Sequence, residues 1–397
     1  MLYKDYVERK VSNAIRIKSA EGYPCVFDNS KGRPLKDYKI YGNSIQDGTP
    51  TPESPVEVQS VGDLVTDTAS EYYGKYDIPI TVTGKNLIKY PYYHTTRTVN
   101  GVTWTDNGDG TITASGTPTD NTSFFLANRM SISTNTKYCF SGIDGTSNIM
   151  LNVTLYDENN TFVADLSNTN TSNSLAFDTT DYPSAIYARF LIKRKKNGVE
   201  VSGTIKPQLE LGTTATEYEP YKGSITEHIY LDEPLRKFKD YADYIDFKKG
   251  TVVRNITAGV LDGSEGWGTS GTRYYYYNTN LNVKCLGNEV AGIKSNALPS
   301  VDWNWIRNSG TGIATYSGTT GGAYNNRIDI RADSLWKNVA EAKEYMANNP
   351  IHYIAPCLEP VEEDIELPKI LTQKGSNIIT VATEIEPSYI EVKYIAK

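Results

Sequence analysis

The residues able to do chemistry are few and scattered. Asp106-x-x-Asp109, with Gly108 and Gly110, resembles part of a calcium loop. It lacks the alternating ligands and the closing Glu of an EF-hand, and its flanks read as strands rather than helices. Turn chemistry explains the same residues, so Asp106 and Asp109 stand as a weak calcium candidate and no other metal is expected. Glu362-Glu363-Asp364 and the pair Glu217 and Glu219 are acidic runs. Glycoside hydrolysis needs two carboxylates facing each other about 5–9 Å apart across a cleft. Adjacent acids on one strand edge serve more simply to discourage edge-to-edge pairing.

No P-loop, nucleophile elbow, zincin helix or dinucleotide fingerprint is present. His94, His228 and His352 are far apart, as are Cys25, Cys139, Cys285 and Cys357, with no C-x-x-C pair. The cysteines read as four reduced, small core residues. A protein without enzymatic activity and without a cofactor is expected.

Aromatic residues carry more information. Trp303 and Trp305, two apart on a stretch read as extended, would share one face. Tyr274–Tyr277 would place two rings on each face of a strand. Tyr92, Tyr93 and Trp104 open the middle of the chain. Sugar C–H faces pack on such rings while Asn, Asp and Gln bind hydroxyls, which makes Trp104, Tyr92, Tyr93, Trp303 and Trp305 candidate carbohydrate-binding residues. A sandwich core or a subunit interface would use the same rings.

These residues need a scaffold, and composition describes it. At 397 residues the chain has room for two to four domains. The apolar fraction is 39%, and exchanging its 30 Tyr for its 31 Gly in that count leaves it there, below the roughly 45–50% of ordinary domains. Thr, Asn, Ser and Gly fill the gap. Tyr and Thr suit half-wet pleated surfaces, and Asn and Gly suit tight turns. A mainly β protein of sandwich or jelly-roll domains follows, not a helical bundle or a doubly wound enzyme. A net charge of −7 argues against nucleic acid as a partner. No apolar run is long enough to cross a bilayer, and the charged start, MLYKDYVERK, lacks a secretory pattern, so cytoplasmic synthesis is expected.

Along the chain, residues 1–83 read as a β attachment or platform segment. Two short alternating stretches, Ala14–Lys18 and Tyr23–Phe27, precede a turn over Asp28–Pro34. The prolines of Gly48–Pro55 favour an extended path leading into a strand at Val56–Val61. Tyr76–Val82 alternates, with Pro79 pointing to a sheet edge. Residues 84–224 form a run of short strands around Asn/Asp/Gly turns. Hairpins are expected at Val102–Thr105 with Thr111–Ala114, and at Val153–Tyr156 with Thr161–Ala164. A third would join Ile186–Ile192 to Val199–Lys206, tipped by the basic run Lys193–Lys196. Residues 225–397 form a β-rich domain with one short helix near 334–348. Leu335, Val339, Ala342 and Met346 lie on its buried face and Asp333 could cap it. Tyr244–Phe247 with Thr251–Arg254 reads as a hairpin, and Asn377–Val381 with Ser388–Ile395 as a closing one. The ends of residues 84–224 should meet, with Val82 and Ile229 in the same or adjoining sheets.

Ile40-Tyr-Gly-Asn-Ser-Ile-Gln-Asp-Gly-Thr-Pro-Thr-Pro-Glu-Ser-Pro-Val-Glu-Val-Gln-Ser-Val-Gly62 resembles structural proteins of tailed phages and prophages of Gram-positive gut bacteria, which serve as tail, baseplate or tail-fibre proteins. Tyr230–Lys237, Asp240–Asp246, Pro360–Glu363 and Glu384–Ser388 are similar to further hallmarks of that group. Gly84–Leu87 through Lys206–Tyr221 resembles its carbohydrate-binding jelly rolls. The resemblance implies a virion protein that contacts other tail proteins, self-associates as a trimer or ring, and displays residues 84–224 toward host-surface glycans. It supplies no catalytic motif. A purely structural baseplate or head-surface protein, or a surface depolymerase with facing acids in a groove, are the alternatives. Exposed aromatics on the jelly roll would favour binding, and aromatics buried at contacts would favour the structural role.

Overall fold

The computed structural model describes residues 9–11, 14–19, 25–29, 37–143, 148–168, 172–270, 273–277, 281–286, 290–308, 310–320, 323–368 and 375–395. The first eight residues and most of the Asp28–Pro34 turn lie outside the described residues. The fold is mainly β, of antiparallel sheets with two helices among the described residues.

Three cores organise it. The first lies between an eight-stranded and a five-stranded sheet. It draws Phe27, Ile40 and Ile78 from before residue 84, Ile229 and Val252 from beyond 224, and Ile379 and Val392 from near the end. The outer parts of the chain therefore close one platform sandwich together. A second core, Leu261, Tyr274, Ile330, Met346 and their neighbours, sits between the helix Val339–Asn348 and the sheet containing Arg273–Tyr277, Thr311–Thr320 and Ala323–Ala332.

The third core lies wholly within residues 88–209 and is a separate sandwich. One sheet runs Val201–Ile205, Ile112–Gly116, Val102–Asp106, Arg97–Val99. Against it pack the sheet Ser123–Ser131, Tyr187–Arg194, Ile149–Tyr156, Phe162–Ser167 and a smaller three-stranded sheet around Lys137–Ser141. This middle sandwich is threaded between the strands Tyr76–Gly84 and Ser224–Leu231, which pair directly, with Ile78 opposite Ile229 and Val82 opposite Ile225.

Local turn chemistry succeeds where it closes hairpins. The pairs 102–106 with 112–116, 149–156 with 162–167, and 244–246 with 251–261 are antiparallel neighbours. Elsewhere packing across the molecule decides. Tyr187–Arg194 and Val201–Ile205 do not pair with each other but join different sheets. The basic run ends the first of these strands and its last two residues, Lys195 and Lys196, open a crossover held by Asn148, whose Nδ2 donates to Lys196 O and Val199 O and whose Oδ1 accepts from Lys196 N. Gly375–Val381 and Tyr389–Ile395 likewise belong to opposite sheets of the platform, so no closing hairpin forms.

Pro79 sits in a central strand, not at an edge. Its carbonyl accepts from Ala382 N, just past the last residue of the neighbouring strand, so its missing N–H falls where that ladder ends. The proline-rich stretch folds into a tight turn, with Thr51 and Ser54 paired both ways, rather than running extended. Of the expected following strand, Gln59–Ser60 pairs with Ser44–Ile45 and Val61 bridges to Leu235. The expected helix near 334–348 begins at Val339, because Asn338 and not Asp333 caps it by accepting from Glu341 N at 3.0 Å. Ala342 and Met346 are buried on its inner face.

Candidate functional site

The pairing register of the middle sandwich builds its outward surface. In the sheet 123–131, 187–194, 149–156, 162–167, one row of opposed residues is Phe125, Leu191, Asn152 and Ser167. The next row is Arg189, Thr154 and Asp165, followed by Tyr187 opposite Tyr156. Alternate residues on the same strands, among them Phe124, Phe190 and Val153, point into the core. Leu191 is buried yet stands apart from that core, as expected for a residue on the other face.

Arg189 is the centre of this surface. Its guanidinium lies 5.4 Å from the Phe125 ring centre and 5.2 Å from that of Tyr156. Its Nε donates to Asn128 Oδ1 at 3.0 Å. The strand carrying Phe125 is irregular between Phe125 and Met130, and such bulges re-aim side chains. In the row of Arg189 itself the buried Thr154 Oγ1 donates to Asp165 Oδ1 at 2.9 Å, and from the row of Phe125 the buried Asn152 Nδ2 reaches the same oxygen at 3.0 Å. Arg129 covers the Tyr187 ring at 3.8 Å. The face thus offers aromatic rings beside amide, hydroxyl and guanidinium groups.

At its rim, His94 stacks on Phe125 with ring centres 4.7 Å apart and planes 16° from parallel. Phe125 N donates to His94 Nδ1 at 3.0 Å, and Arg97 Nη1 lies 2.8 Å from His94 Nε2. Burial, and then the Arg97 charge, hold the imidazole below its ordinary pKa of 6.5. A protonated ring would meet two donors and no acceptor. Tyr93, 60% exposed, stands beside His94.

Among the residues singled out from sequence, Tyr93 alone joins this face. Trp104 is fully buried and donates from Nε1 to Thr122 Oγ1 at 2.8 Å. Tyr92 is buried too, its hydroxyl donating to Gly110 O at 2.5 Å. Neither ring can meet a ligand. Trp303 and Trp305 stand in a helix, Trp303–Asn308, rather than on an extended stretch, so they do not share a face. Asp302 Oδ1 accepts from Trp305 N at 2.7 Å and starts that helical turn. Trp303 packs against Tyr316, and Trp305 is 41% exposed. Tyr274 is buried in the second core, while the side chains of Tyr275–Tyr277 lie outside the described residues. The signal for the outer face lay in Phe125, Tyr156 and Arg189 at matching alternate positions, which only the strand pairing brings together.

The acids do not converge. Asp106 Oδ1 accepts from Gly108 N, and Asp109 Oδ1 accepts from Thr111 N and Thr111 Oγ1, so both serve the turn. The Thr111 bonds hold the Asp109 carboxyl below the usual carboxylate range. Among the described residues no cluster of three or more His, Cys, Asp or Glu could hold a metal. Glu362 pairs with Lys249 in the turn before the neighbouring strand, and Glu363 with Arg254 on that strand. A cleft of about 870 Å³ opens between the middle sandwich and the platform. Its lining is rich in hydroxyls, including Ser131, Thr134 and Thr380, and holds one carboxylate, Glu386, among the described residues.

Two sequence hallmarks act structurally. Asp243, fully buried, accepts from the backbone N–H groups of Arg236, Asn255 and Ile256, with Arg254 at 3.5 Å. Gln208, Glu210 and Thr216 close the neck of the middle sandwich: buried Glu210 accepts from Gln208 Nε2, Thr216 N and Thr216 Oγ1.

No protein-family model matches this chain, and no curated protein is similar to it. Its similarities to solved structures are remote. The VP2 subviral particle of infectious bursal disease virus aligns over 98% of this chain and 78% of its own, at 7% identity and a TM-score of 0.15. T=1 particles derived from that virus align over 98% and 75%, also at 7% identity and 0.15. At such scores the alignments carry no inference about fold or function.

Proposed function

We propose that the chain is a non-catalytic virion structural protein of a phage tail, baseplate or tail fibre, whose middle sandwich holds host-surface saccharide on its outward sheet face. The virion reading is supported by the residues resembling tail proteins. The saccharide reading is supported by one observation above all: Phe125 and Tyr156 flank Arg189 on the outward side of the sheet, beside the half-buried amide of Asn128, with Ser167 exposed in the row of Phe125. Rings of this kind cover the apolar side of a sugar while the polar groups meet its hydroxyls. Single contacts of this sort are weak, so several copies on one rigid assembly would multiply them. The strand Ser224–Leu231, paired on one side only among the described residues and with Ile225 exposed, offers an edge for a trimer or ring and for neighbouring tail proteins.

The experiment is retention of the purified chain on host cell-wall material, comparing the unaltered protein with Phe125→Ala combined with Tyr156→Ala. Unchanged melting with at least tenfold weaker retention supports the reading. Equal retention by a folded double variant overturns it and leaves this face to subunit packing.

A further inference from the structure

We infer that the saccharide held by this face is anionic, and that the Arg189 guanidinium receives its carboxylate or phosphate; the inference rests on the saccharide-binding reading above. Three observations carry it. First, Nε of Arg189 is used by the neutral Asn128 amide, and no carboxylate among the described residues forms an ion pair with the guanidinium. Among the described residues its two terminal nitrogens make no hydrogen bond, and they form the fork that matches a carboxylate or phosphate. Secondly, charge on this sheet runs against that of the molecule. The chain carries −7 overall, whereas on the outward side the four strands hold Arg129, Arg189 and Lys193 against the single acid Asp165, Arg194 alternating to the other side and bonding Asp120 O and Asn121 Oδ1. Thirdly, that acid is engaged: its Oδ1 accepts from Asn152 and Thr154, and its Oδ2 lies 4.0 Å from Lys193 Nζ.

A neutral sugar would cover the guanidinium without supplying a countercharge, at a cost in desolvation. An anionic one would replace water with a fixed fork between two rings, where the local dielectric strengthens the attraction. Were Arg189 only a cationic bridge between Phe125 and Tyr156, its replacement would lower stability without altering any preference for charge.

The test measures binding of the full chain to four soluble polymers: polygalacturonate, its methyl ester, poly(glycerol phosphate) and dextran. The expected result is at least about tenfold tighter binding to one of the two anionic polymers than to the ester or dextran, weakening as salt rises. Comparison of polygalacturonate with poly(glycerol phosphate) tells carboxylate from phosphate as the source. Arg189→Met should remove the preference, and Arg189→Lys should restore part of it without the fork. Thermal melting of both variants establishes that they fold. Equal binding of polygalacturonate and its ester, or a folded Arg189→Met variant with its preference intact, overturns the inference while the saccharide reading stands. Binding to none of the four also overturns it, and the cell-wall retention assay then decides the saccharide reading separately.

Discussion

Val82 and Ile225 lie opposite each other across an antiparallel strand pair, although the whole middle sandwich is threaded between them. The two chain ends of that sandwich therefore leave the platform side by side. Its core uses no residue of the platform core, and the converse also holds. Domain insertions are tolerated where both ends meet in this way. Replacing residues 85–223 by a short Gly-Ser bridge should leave a platform that melts cooperatively and no longer adheres to cell-wall material. Calorimetry and the retention assay read the two outcomes. An unfolded remainder would show that the platform depends on the sandwich, and undiminished adhesion would move the binding site elsewhere.

Asn86 fastens the neck. Its buried side chain donates to Pro207 O at 2.9 Å and Glu219 O at 3.1 Å, and accepts from Ile88 N and Leu209 N. Entry and exit segments are thus held by one amide. Asn86→Ala leaves buried backbone groups without partners, each loss worth about 1–3 kcal/mol. The middle sandwich should melt earlier while the platform transition stays in place. A variant melting like the parent would show that water replaces the amide at no cost.

How far the sequence discloses this fold depends on the range of the interaction. Asp106–Gly110 and Lys248–Gly250 impose their turns locally, so their hairpins are legible. Nothing local states that Tyr187–Arg194 and Val201–Ile205 part into different sheets, because side-chain packing across the sandwich decides it. The same limit governs the site. Trp104 alternates with Val102, and that shared face is the core, so its burial follows from the strand period. Arg189 meets Phe125 and Tyr156 only through two long-range registers, which no spacing along the chain encodes. Trp303 and Trp305 misled because spacing by two implies a shared face only in a strand, and Asp302 turns the backbone into a helix there.

The thiols should differ in reactivity. Burial pushes Cys25 up to about 12 and Cys139 and Cys357 up to about 11, Cys139 and Cys357 with added repulsion from Glu210 and Asp243 respectively. Thiolate is the reactive form, so these three should resist alkylation at pH 8. Cys285 is only half-buried and should be modified first. Mass mapping after brief iodoacetamide treatment of the native protein reads the order. Early labelling of Cys25 or Cys139 would contradict the burial described here.

His94 should give the rim of the proposed saccharide face a dependence on pH. Its folded pKa lies below 6.5, through burial first and Arg97 second. The folded protein therefore binds fewer protons than the unfolded chain between 6.5 and that lower value. Stability contributed by the neutral ring is complete above 6.5 and is lost as pH falls through the folded pKa. Protonation also costs the acceptor that holds Phe125 N and places a cation beside Arg97. Because His94 stacks on Phe125, saccharide binding should weaken over the same window. His94→Gln keeps an acceptor for Phe125 N but cannot take up the proton. Subtracting its pH profile of melting and of binding from that of the parent removes the other carboxylates and histidines. A difference that grows as pH falls below 6.5, with the parent losing more, is the expected result. Parallel profiles would show that His94 keeps its ordinary protonation and leaves Phe125 unmoved.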